Sequence, residues 1–80
     1  MNSLKNEVRK MKNFKRIENR LLETARIQEG YLLKIRDRII ARYDNPNENT
    51  NFIYERSVLI GMISMLDALK IDRKEFNWIF

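Results

Sequence analysis

Residues 52–71, FIYERSVLIGMISMLDALKI, constrain the fold more than any other stretch, because their apolar side chains cover nearly the whole circumference of a helix. Wound at about 100° per residue, Arg56, Asp67 and Lys70 fall in one narrow wedge with Ile63 between them, and apart from Glu55 near the start every other direction is apolar or small. Such a helix is expected to be buried at the centre of the fold. Ser57, Gly61, Ser64 and Ala68 recur at spacings of four, three and four, so the smallest side chains form one stripe that another helix can approach closely. Two arrangements use that stripe: a homotypic crossing of two such helices at a dyad, or close packing on the chain's own long helix. In either, enlarging Gly61 is expected to overpack the contact.

The long helix is written upstream. Leu4, Val8, Met11, Phe14, Ile17, Leu21, Ala25, Gln28, Leu32, Ile35, Ile39 and Tyr43 recur at close to a helical or heptad step, with Ser3 placed to cap the start. Gly30 either lies inside this helix at a cost of about 1 kcal/mol relative to alanine or ends it there. The stripe stays in phase across Gly30, which favours one continuous helix over residues 1–43. Leu22, Ile27, Tyr31, Leu33 and Ile40 lie off the stripe, so the second half of the helix needs more than one neighbour.

Residues 44–50 are expected to form the loop. Asp44 to Asn51, DNPNENTN, contains a proline and four asparagines, which favour turns and caps over helix interiors. Asn45, Pro46 and Glu48 have the form of a cap, so helix could begin early there, but the start is placed near Asn51. The buried helix then covers residues 51–71. Asp72 and Glu75 are spaced as a capping box, flanked by Ile71 and Phe76 as a hydrophobic staple, which predicts a short helix from Arg73 to Ile79 within residues 72–80. Phe76, Trp78 and Phe80 give it more aromatic surface than water tolerates, so it either closes over the core as a lid or anchors another chain. Met62 and Met65 are read as core.

At 1.5 Å per residue a helix over 3–43 is about 60 Å long, and the second helix only about 30 Å. Half the long helix therefore has no partner in its own chain, although it carries Leu4, Val8, Met11, Phe14 and Ile17. Leaving these in water forgoes about 1.5–3 kcal/mol each, a large loss for a chain of 80 residues. A second copy or another partner is expected to cover them.

Function classes are bounded by what the chain contains. It has no cysteine and no histidine, so disulfides, thiolate metal sites, the commonest general base and the commonest metal ligand are all missing. Glu18 and Glu29, Asp67 and Asp72, and Glu55 show no spacing that suggests a shared carboxylate site. No catalytic, cofactor-binding, small-molecule or metal site is expected. No stretch resembles a secretory signal or a transmembrane span, which points to a soluble, cytoplasmic protein. Abundant Ile, Asn and Lys, all with AT-rich codons, give the chain the look of the small helical proteins of phages and mobile elements in low-GC bacteria.

Charge is unevenly spread. Residues 1–42 hold twelve Lys or Arg against five Asp or Glu, a balance of +7, and residues 43–80 hold four against six, a balance of −2, which together give the net +5. Arg9, Lys10, Lys12, Lys15, Arg16 and Arg20 could meet phosphates, an acidic partner or only solvent. No helix-turn-helix, zinc or basic-zipper pattern accompanies them. The expectation is an all-α helical hairpin with a short aromatic C-terminal helix, paired as a homodimeric bundle in one small domain. Its expected role is that of a non-enzymatic regulator, an inhibitor or adaptor. The alternative is a dimeric nucleic-acid binder using its basic N-terminal helices.

Overall fold

The computed structural model describes residues 2–80, with side chains from residue 12 onward. The expected Ser3 cap and the side chains of Leu4, Val8, Arg9, Lys10 and Met11 lie outside the described residues. The protein is all-helical: α1 (Asn2–Ala41), a single 3-10 turn (Pro46–Glu48), α2 (Thr50–Ala68) and a C-terminal 3-10 helix (Lys74–Ile79). Helix α1 runs through Gly30 without a break, and the molecule measures 63 × 17 × 17 Å. None of the described helices is long and apolar enough to cross a membrane.

Side chains acting on their own backbone build the turn between the helices. Asn45 Oδ1 accepts from the Asn47 N–H at 3.0 Å, which turns the early cap into one 3-10 turn, and Asn49 Oδ1 accepts from the Phe52 N–H at 3.0 Å, which starts α2 at Thr50. Both α-helices end in a Schellman motif with a side-chain-bearing residue in the left-handed position. In α1 that residue is Tyr43 (φ 61°), with Asp44 N–H on Ile39 O at 3.1 Å; in α2 it is Lys70 (φ 57°), with Ile71 N–H on Leu66 O at 2.9 Å. Tyr43, expected as the last member of the apolar stripe, is this cap and is 99% exposed.

The core joins Ala25, Leu32, Ile35 and Ile39 of α1 to Phe52, Leu59, Ile63 and Leu66 of α2, with Ile71, Phe76 and Ile79 closing it. Only one side of α2 is covered, which corrects the expectation of a buried second helix. The wedge holding Arg56, Ile63 and Asp67 belongs to the covered side: Ile63 is fully buried, and the two charged side chains reach past it to partners in the C-terminal segment. Leu21, Leu22, Ile60 and Met62 pack at the edge of the core, whereas Met65, also expected inside, is exposed.

The C-terminal segment also departs from expectation in detail. Asp72 Oδ1 caps the Lys74 N–H at 3.1 Å, but Glu75 does not reach back to complete a box. Its carboxylate instead accepts from Arg26 Nε at 2.8 Å and Nη2 at 3.3 Å, a bidentate partner on α1 that outcompetes a backbone N–H. Ile71 and Phe76, the expected staple, are both buried.

Candidate interaction face

The C-terminal 3-10 helix lies in one of the two grooves between α1 and α2. Its contacts define the flank: Glu75 on Arg26, Trp78 Nε1 on Glu29 Oε2 at 2.8 Å, the Arg36 guanidinium 5.4 Å from the centre of the Trp78 ring, and Arg56 on the Ile79 carbonyl. Arg73 joins the same side, donating to Asp67 Oδ1 at 2.9 Å and to Asn77 Oδ1 at 2.6 Å, with Phe80 beneath its guanidinium. Glu75 lifts the Arg26 pKa above its ordinary value, first through the hydrogen bond and then through its charge.

Among the described residues, none fills the opposite groove. At about 100° per residue, Thr24, Ile27 and Tyr31 fall on the flank of α1 away from Arg26, Glu29 and Arg36, and Tyr54, Val58, Met62, Met65 and Leu69 fall on the flank of α2 away from Arg56 and Asp67. One polar contact marks the floor between them: Gln28 Nε2 donates to Glu55 Oε2 at 2.7 Å and to the Glu55 carbonyl at 3.1 Å. Sequence alone assigned Glu55 no partner. Ile27, Tyr31, Tyr54, Met65 and Leu69 are all exposed, Ile27 to 69%.

The small-residue stripe lies on the face of α2 that points away from α1. Ser57, Gly61, Ser64 and Ala68 are exposed, the Ser57 and Ser64 hydroxyls donate back to the carbonyls of Ile53 and Ile60, and a Cβ built on Gly61 meets nothing within 4 Å. Packing of the stripe on the chain's own long helix is thereby overturned, because α1 contacts the side of α2 that holds Leu59 and Ile63.

The N-terminal half of α1 projects beyond α2. Every residue from Lys12 to Ile17 is exposed, including Phe14 at 47% and Ile17 at 53%, and Leu21 is packed at the core. Lys12, Lys15, Arg16 and Arg20 are exposed on the same projection, and none of them forms an ion pair among the described residues. The aromatic anchor divides: Phe76 is fully buried as a lid, and Trp78 and Phe80 remain partly exposed at its rim. Sequence reasoning missed the roles of Arg26, Gln28, Glu29, Arg36 and Arg56, whose partners lie on other elements and leave no local spacing to read.

No known protein family, curated protein or solved structure matches the chain.

Proposed function

We propose that this protein is a small non-enzymatic helical regulator, of the kind phages and mobile elements encode, that acts as a homodimer by contact with another protein, as an inhibitor or adaptor. The supporting observation is that α2 is apolar on both sides while its own chain covers one. A helix apolar all round is stable in water only when both sides are covered. The projecting half of α1 adds two further uncovered apolar side chains, Phe14 and Ile17.

A second reading, nucleic-acid binding through the basic helices, draws on Lys12, Lys15, Arg16 and Arg20 standing exposed on a projecting helix. Absolute mass by light scattering at low and high salt, alone and with a short mixed-sequence DNA duplex, separates the two. A salt-independent dimer that ignores DNA supports the regulator. A DNA complex that dissolves at the higher salt supports the second reading, and a salt-independent monomer that ignores DNA removes the homodimer.

A further inference from the structure

The projecting arm of α1, residues 2–17, and the open groove have matching dimensions. Sixteen helical residues extend about 24 Å, and Tyr54 to Leu69 along the groove span about 23 Å. Their chemistry matches as well. From Ser57 to Leu66 the groove wall carries no charged residue, and Val58, Met62 and Met65 supply adaptable apolar contact. The arm offers Phe14 and Ile17 on the stripe that leads into Leu21, with Lys12, Arg16 and Arg20 turned away from it at helical spacing.

We propose that the arm of each copy lies in the open groove of a second copy, a reciprocal exchange about a two-fold axis near Leu21; this rests on the homodimer proposed above. The two-fold is what selects a second copy over an unrelated partner. An unrelated helix would cover the groove and leave the arm in water, whereas reciprocal exchange covers both surfaces on both chains and leaves no open end. A helix 10–12 Å across covers roughly 250 Å² over that length on each side, and the two-fold brings the total to about 1,000 Å², the floor for a specific interface. Antiparallel α1 helices crossing near Leu21 add to it. The exchange also sets Lys12 and Arg16 on the outer side of each arm, with Arg20 just beyond it, so the dimer presents two basic ridges.

The chain has no cysteine, so introduced ones report unambiguously. Phe14→Cys is mixed in turn with Met65→Cys, with Val58→Cys and with Lys74→Cys, the last on the flank that the C-terminal helix occupies. Each mixture is treated with a short bis-maleimide after circular dichroism has verified helicity. Linked heterodimers are expected for 14 with 65 and for 14 with 58, and not for 14 with 74. A dimeric mass with neither groove link, or with Met65→Cys linking only to itself, overturns the exchange and leaves the homodimer standing. A monomeric mass for the unsubstituted protein overturns both.

Discussion

The Arg56 guanidinium donates twice to the carbonyl oxygen of Ile79, from Nε at 3.1 Å and from Nη2 at 2.7 Å, and so ties the first turns of α2 to the last residues of the chain. A planar fork suits a single carbonyl approached from the side, and a lysine ammonium does not reproduce it. Arg56→Lys is therefore expected to cost up to about 1.5–3 kcal/mol, the range for a charge-assisted hydrogen bond, measured by urea unfolding. The one tryptophan, Trp78, lies beside this clamp, so its emission should shift to the red in the variant before global unfolding begins.

Two caps hold side chains in a backbone conformation that favours glycine. Tyr43→Gly and Lys70→Gly should each stabilise the protein by about 1 kcal/mol, because both positions adopt the left-handed region and both side chains are exposed. Thermal unfolding should show each as a rise of about 4–8 °C in Tm.

Gly30 and Gly61 are alike in the single chain, each with nothing within 4 Å of an added Cβ. Gly30→Ala should raise stability by about 1 kcal/mol through helix propensity alone. Tyr31→Glu tests the groove: helicity is retained, because the side chain is half exposed in its own chain, and the mass falls from dimer to monomer as a charge enters the path of the arm. An unchanged dimer mass would count against that path.

Gln28 and Glu55 form the polar floor of the open groove, and neither is fully buried. Gln28→Ala should cost about 1 kcal/mol, as expected for one lost hydrogen bond, and Gln28→Leu combined with Glu55→Leu should recover most of it. By contrast, Glu75→Ala should cost less than Gln28→Ala, since both members of its pair with Arg26 are substantially exposed. Denaturant midpoints of the three variants check the order.

What could be read from the sequence follows a physical divide. The turn was legible because Asn45 and Asn49 act on backbone groups two and three residues away. Continuity through Gly30 was legible because a stripe in phase on both sides needs no break. The orientation of α2 was not, because a helix apolar in every direction has no preferred phase, and the only charged wedge, at Arg56 and Asp67, points inward toward partners 23 and six residues away. The small residues on α2 were equally ambiguous, since a missing side chain records room for a neighbour without naming it.

The C-terminal 3-10 helix also sets an order of events. Arg26 with Glu75, and Glu29 with Trp78, each join residues 49 apart, whereas α1 and α2 meet across a short turn. Closing the longer loops costs more chain entropy, so the two long helices zip together first and the terminal segment latches last. In the native state the same segment is then the first to unlatch, and backbone amides there should exchange with solvent well before those of the hairpin.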